Sequence, residues 1–125
     1  MTTKVLIIDD EPDIDRLMRQ RLRRRLRSGQ IELLSARDGV EALNVLAANE
    51  DVDVAFCDIN MPRMDGFTLL ERLRSVHPRV RTVMISAYGD PLNRRSALGR
   101  GAYDFLTKPL DFRELERVLD QLLAV

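Results

Sequence analysis

Five short apolar, β-prone runs alternate with five segments of helical spacing along 125 residues, and no other feature of the sequence constrains the fold as much. The runs are 4–8, 31–36, 52–57, 81–86 (with Val83, Met84 and Ile85 as its centre) and 103–106. Between them, 13–28 carries Ile14, Leu17, Met18, Leu22 and Leu26 on one helical stripe, and Gly29 is placed to stop that helix in a left-handed conformation. Asp38 with Glu41 makes a capping-box pattern ahead of Val40, Leu43, Val45 and Leu46. Asp65 caps a helix bearing Phe67, Leu69, Leu70, Leu73 and Val76. Asp90-Pro91 starts a fourth helix that Gly99 and Gly101 end early, and Asp111 with Glu114 caps a fifth bearing Phe112, Leu115, Val118, Leu119, Leu122 and Leu123. Such alternation predicts a parallel sheet with helices on both faces and right-handed crossovers. No linker, repeat or low-complexity tract interrupts it, so 1–125 reads as a single α/β domain.

The polar residues that interrupt the run ends are informative. Asp9 and Asp10 follow the first run, Asp58 ends the third, Ser86 ends the fourth and Lys108 follows the fifth. All five therefore fall on the C-terminal edge of a parallel sheet. In a doubly wound, flavodoxin-like (βα)5 sheet ordered 2-1-3-4-5, strands one and three adjoin at the switch point and strand four adjoins three. Three carboxylates brought together repel, and burial makes that worse. Three aspartates and one lysine leave two negative charges, which one divalent cation cancels; oxygen ligands with open water positions suit Mg2+ (or Mn2+). Asp58 is then a candidate nucleophile toward a phosphoryl group, with Lys108 clamping one phosphate oxygen and the Ser86 hydroxyl donating to another. Singly, each residue has a plainer reading as helix cap, turn former or solvated charge. Their coincidence at four matching strand ends favours the site. The chain also holds eighteen arginines and only two lysines, Lys4 and Lys108, which hints that the compact ammonium of Lys108 matters.

Composition narrows the function classes. No apolar run reaches the length of a membrane span and no signal-peptide pattern opens the chain, so a cytoplasmic protein without membrane attachment is expected. The single cysteine, Cys57, lies inside an apolar run and reads as a small hydrophobe. Zero net charge argues against nucleic-acid binding. Arg16, Arg19, Arg21, Arg23, Arg24, Arg25 and Arg27 crowd the first helix, either as a solvated face opposite its leucine stripe or as a docking surface. His77, before Pro78, reads as a surface turn residue and not as a phosphotransfer donor.

Four stretches resemble the receiver domain of bacterial two-component response regulators, and the likeness runs over the whole length. They are Val5-Leu6-Ile7-Ile8-Asp9-Asp10-Glu11-Pro12, Asp58-Ile59-Asn60-Met61-Pro62-Arg63-Met64-Asp65-Gly66, Ile85-Ser86-Ala87 and Gly101-Ala102-Tyr103-Asp104-Phe105-Leu106-Thr107-Lys108-Pro109. The resemblance implies that Asp58 is a phosphoacceptor served by the phosphohistidine of a histidine kinase or phosphotransfer protein. It implies Asp10 and Asp58 as direct Mg2+ ligands, Asp9 through water and the backbone carbonyl of Asn60 as a third protein ligand. Ser86, Lys108 and the backbone of Ala87 would hold the phosphoryl group, and Ser86 and Phe105 would move as the switch. Many relatives have Tyr where Phe105 stands; Phe can bury without stranding a hydroxyl. Asn60 and Tyr88, two residues past Asp58 and Ser86, would flank the route of hydrolytic water, with the Tyr88 ring slowing hydrolysis. The surface from Pro91 through Val125 (fourth helix, fifth strand, fifth helix) mixes both charges, which permits either a homodimer or pairing within one chain. Two other readings fit less well. An aspartyl-phosphate phosphohydrolase usually has an acid where Asn60 stands, and a scaffold receiver that is never phosphorylated normally lacks one of the acids or the lysine. The expected protein is thus a signalling switch and not an enzyme on an external substrate, although it would catalyse its own phosphorylation and slow dephosphorylation.

Overall fold

The computed structural model describes residues 2–61, 64–87 and 91–123. Five strands, β1 (Thr3–Ile8), β2 (Ile31–Ala36), β3 (Val52–Asp58), β4 (Arg81–Ser86) and β5 (Asp104–Thr107), form one parallel sheet in the order β2-β1-β3-β4-β5. Helices α1 (Pro12–Arg21), α2 (Arg23–Arg27), α3 (Gly39–Ala48), α4 (Gly66–Val76), α5 (Pro91–Gly99) and α6 (Phe112–Leu123) make the connections. The flavodoxin-like order expected from the alternation is the one observed.

Alternating side chains of the strands feed two cores. Leu6, Ile8, Ala55, Cys57, Met84 and Phe105 pack on one face against Leu46 of α3, Leu69, Leu70 and Leu73 of α4 and Ala97 of α5. Val5, Ile7, Val54, Phe56, Val83, Ile85 and Leu106 pack on the other against Met18, Leu22, Leu115, Val118, Leu119 and Leu122. Strands β1, β3 and β4 are buried on both faces, which is why they read as nearly continuous apolar runs.

Local signals placed most element ends. The Asp38 carboxylate accepts from the Glu41 N–H at 2.9 Å, and Asp65 accepts from the Thr68 N–H at 3.0 Å. Asp111 accepts from the Arg113 N–H at 2.9 Å, and Gly29 follows α2 at φ +76°. Gly101, at φ +98°, follows α5. His77 ends α4, its N–H bonding the Leu73 carbonyl at 2.7 Å. Three expectations shift. The helix over 13–28 is divided at Leu22, whose φ −102° and ψ 15° leave helical geometry while its N–H still bonds Met18. The fifth strand lies one residue later than 103–106: its pairing with β4 runs from Asp104 opposite Val83, and Tyr103 adds only an N–H bond to the Thr82 carbonyl. Leu17, Val40 and Val76, assigned to apolar stripes, are exposed. Tyr88 and Asp90, expected as hydrolysis gate and helix start, lie outside the described residues, as does Pro62 of the motif that follows Asp58.

The arginine-rich segment is not one solvated face. Arg25 is half-buried and bridges to Glu116 at 3.3 Å and Asp120 at 2.7 Å, tying α2 to α6. Arg19 pairs with Asp15, and Arg21 stacks 5.2 Å from the centre of the Phe112 ring. Arg23, Arg24 and Arg27 are exposed, as expected of a solvated face. Among the described residues, no helix is long and apolar enough to cross a membrane.

Gly66 is where chain and site meet most closely. A Cβ there would stand 2.7 Å from the Asp58 carbonyl oxygen and 2.7 Å from the Ile59 Cα, whereas one at Gly99 meets nothing within 4 Å. Gly66→Ala is expected to destabilise the fold by about 1–3 kcal/mol, since backbone must shift. Gly99→Ala is expected to be neutral or to stabilise by about 0.4–1 kcal/mol. Urea unfolding midpoints check the pair.

Candidate functional site

The edge carrying the C-terminal strand ends is built by single hydrogen bonds that prolong each ladder by one residue. The Asp9 N–H bonds the Ala36 carbonyl at 3.0 Å, the Ile59 N–H bonds the Ile85 carbonyl at 2.9 Å and the Lys108 N–H bonds the Ser86 carbonyl at 2.8 Å. Register does the rest. Ile8 pairs with Cys57 and Asp58 with Ile85, so Asp9 and Asp58 stand side by side at the end of the sheet. Neighbouring strands lie about 4.8 Å apart, so Lys108 must reach over β4 from β5 to touch them. Only a long side chain spans that gap.

It does so as a point charge. Lys108 Nζ lies 3.0 Å from Asp9 Oδ2, 3.1 Å from Glu11 Oε1 and 3.3 Å from Asp58 Oδ2. Asp9 Oδ1 accepts the Glu11 N–H at 2.9 Å, and Asp58 Oδ1 accepts the Asn60 N–H at 3.2 Å. Asp9 and Asp58 are buried, while Asp10 is exposed at the mouth. Ser86 is fully buried, Ala87 follows it into the open, and the Lys108–Pro109 peptide is cis. Phe105 is 2% exposed, its ring inside the core beneath α5. Asn60 is exposed beside Asp58.

Sequence reasoning placed Asp9, Asp10, Asp58, Ser86 and Lys108 at one edge, and the structure brings them together there. It missed Glu11. The signal was its position after the acidic pair, in Asp9-Asp10-Glu11-Pro12, but nothing in a sequence tells which carboxylate a lysine will choose. Cys57, by contrast, behaves as expected: it is fully buried, and burial pushes its thiol far up.

Electrostatics leave the cluster loaded. Burial, and then the charge of the neighbouring aspartate, pushes Asp58 above the ordinary carboxylate range. Burial likewise pushes Asp9 up, against the opposing pull of the Glu11 N–H and Lys108. For Lys108, burial alone would lower the ammonium, but the carboxylates of Asp9 and Glu11 outweigh it and hold it protonated well above its usual range. The carboxylates of Asp9, Asp10 and Asp58 offer oxygens within 4.8 Å of one another. Asp9 Oδ2, though buried beside the ammonium, accepts no aligned hydrogen bond. An all-oxygen set with an under-bonded buried oxygen fits a hard divalent cation such as Mg2+.

Fold and edge together define a doubly wound α/β protein with an acidic pocket closed by a lysine. The chain belongs to the response regulator receiver domain family, whose family model matches residues 5–120. It is 38% identical over 116 residues to the response regulator protein PilR of Pseudomonas aeruginosa, which covers 93% of this chain and 25% of PilR. It is 36% identical over 115 residues to the response regulator MprA of Mycobacterium sp. (strain KMS), covering 92% of this chain and 48% of MprA. The chain thus spans a quarter to a half of the length of these curated relatives. Among solved structures, the CheX-CheY-BeF3-Mg2+ complex from Borrelia burgdorferi matches with a TM-score of 0.83 at 32% identity, over 95% of this chain and 88% of that one.

The raised carboxylates predict how stability depends on pH. Between the ordinary carboxylate pKa and the higher folded-state values, the fold holds more protons than the unfolded chain. Stability without metal therefore falls as pH rises through that window and stays lower above it. Asp58→Asn removes a charge that the fold carries at a cost. In EDTA at pH 7 the variant is expected to have a higher urea midpoint than wild type, with the gain shrinking as pH falls below the carboxylate range.

Proposed function

We propose that Asp58 is the phosphoacceptor of a two-component signalling switch. The observation that carries this reading is the ammonium of Lys108 held within 3.3 Å of Asp58 and 3.0 Å of Asp9, beneath an exposed Asp10. In the transfer, an Asp58 carboxylate oxygen bonds to phosphorus while the nitrogen–phosphorus bond of a donor phosphohistidine breaks and the imidazole leaves with the electron pair. Lys108 balances charge on the incoming oxygens, and the Ser86 hydroxyl and the Ala87 N–H are donors beside it. Mg2+ held by Asp10, Asp58 and the Asn60 carbonyl, with Asp9 through water, would add positive charge against the phosphoryl oxygens.

The route outward is short. Ser86 pairs with Thr107 and its carbonyl holds the Lys108 N–H, so a hydroxyl drawn toward a phosphoryl group pulls on β5. Phe105 lies two residues along, with its carbonyl accepting from Arg94 of α5 at 3.3 Å. That couples Ser86 and Phe105 to the face of α5, β5 and α6, where Leu92 and Tyr103 are exposed and available to a partner or a second copy. Arg94 stands 3.7 Å from Asp104 of the same chain, so part of the mixed charge there is already paired internally. For the donor, Ile14, Leu17, Leu110 and Phe112 line an apolar hollow of about 450 Å³ directly beside Lys108. A helix of a histidine kinase or phosphotransfer protein seated there would bring its histidine to Asp58. The Mg2+ and BeF3 of the Borrelia burgdorferi complex agree with this chemistry.

Incubation with acetyl phosphate and Mg2+ is expected to add one phosphoryl mass to wild type and none to Asp58→Asn; no adduct on wild type would overturn the reading. Mg2+ at a hundred times its Kd is expected to stabilise wild type by about 2.7 kcal/mol. Asp10→Asn should lose most of that gain in a thermal-shift titration.

A further inference from the structure

The three carboxylates on Lys108 are not equally committed to it. The Asp9 side chain is 3% exposed and Asp58 6%, and each spends its other oxygen on a backbone N–H. Glu11 is 59% exposed. It sits at the N-cap of α1 yet makes no capping bond from its side chain, which turns instead to the ammonium. The ammonium donates to Glu11 Oε1 and to Asp58 Oδ2, while Asp9 Oδ2 is an ion-pair partner 3.0 Å away without an aligned bond.

We propose that Glu11 is a displaceable placeholder for the phosphoryl group, holding the Lys108 donor that a phosphoryl oxygen on Asp58 takes over. The inference rests on Asp58 being the phosphoacceptor. Of the three partners, Glu11 is released at least cost. An exposed carboxylate regains its water, whereas Asp9 deprived of the lysine would be a buried charge without a counter-charge. Once released, Glu11 stands at the N-terminus of α1, where a negative charge is favoured. The pair keeps Lys108 in place over the pocket and makes phosphorylation compete with an ion pair within the chain. Glu11 is thus a positioning residue that sets how readily the site is written on.

The test uses two variants, labelled by subsaturating acetyl phosphate at saturating Mg2+ and followed by mass. An Asp58 oxygen–phosphorus bond forms as the phosphorus–oxygen bond to acetate breaks, and acetate leaves with the electron pair. Glu11→Gln keeps the shape and removes the charge. Glu11→Asp keeps the charge but is one methylene shorter and loses its reach to Lys108. With rates scaled to the folded fraction from urea midpoints, both are expected to label about two- to five-fold faster than wild type, the range an exposed ion pair is worth. Faster labelling in Glu11→Gln alone would mean general repulsion of an anionic donor and overturns the proposal, as does unchanged or slower labelling in both. If no chain labels, the phosphoacceptor reading itself fails and takes this one with it; if wild type labels and the variants match it, only the role of Glu11 fails.

Discussion

One half-buried ammonium holds the acidic edge of this fold together. Lys108 is the only cation within 4 Å of Asp9 or Asp58 among the described residues, and it reaches them from the far side of β4. Without it, adjacent strands would end in two buried like charges. The same requirement accounts for a lysine in a chain that elsewhere prefers arginine: a compact charge with three donors turns among three carboxylates, where a planar guanidinium would fix on one. The sheet order supplies the remainder. Placing β3 between β1 and β4 lets one side chain from β5 meet residues from both β1 and β3.

Much of this was legible in the sequence because it depends on period and position. Alternating runs gave the element order, and the residue after each run gave the site, since a parallel sheet puts equivalent ends on one edge. Asp38, Asp65, Gly29 and Gly101 marked helix ends through local chemistry that tertiary structure had no reason to override. What stayed hidden depends on contacts between distant segments. Leu17 fits the stripe of α1, but its place is covered by nothing and it lines the hollow beside Phe112 instead. Val40 and Val76 sit at helix positions that the sheet does not reach. Arg25 belongs to a run of like residues, yet it alone of Arg23, Arg24 and Arg25 meets Glu116 and Asp120. Glu11 is the sharpest case: its neighbours named the site, and only the three-dimensional position of Lys108 names Glu11 as part of it.

The proposed switch follows from how that charge cluster is held. Burial raises both carboxylates, with the charge of Asp9 adding at Asp58 and that of Glu11 adding at Asp9, so an arriving cation or phosphoryl group would relieve a load already built into the fold. In the proposed switch that relief would extend beyond the pocket, because the Lys108 backbone hangs on Ser86 and β5 carries Phe105 into the core under α5. The proposed path from the acidic edge thus runs through the ends of β4 and β5 to α5.

All of this depends on Asp58, and not a neighbouring acid, forming the bond to phosphorus. Borohydride reduces an acyl phosphate to the alcohol, so an aspartyl phosphate is trapped as homoserine and can be placed by peptide sequencing. After treatment with acetyl phosphate and Mg2+, the account predicts homoserine at residue 58 alone among the twenty acidic residues. Homoserine at residue 9 or 10, or at none, would contradict it.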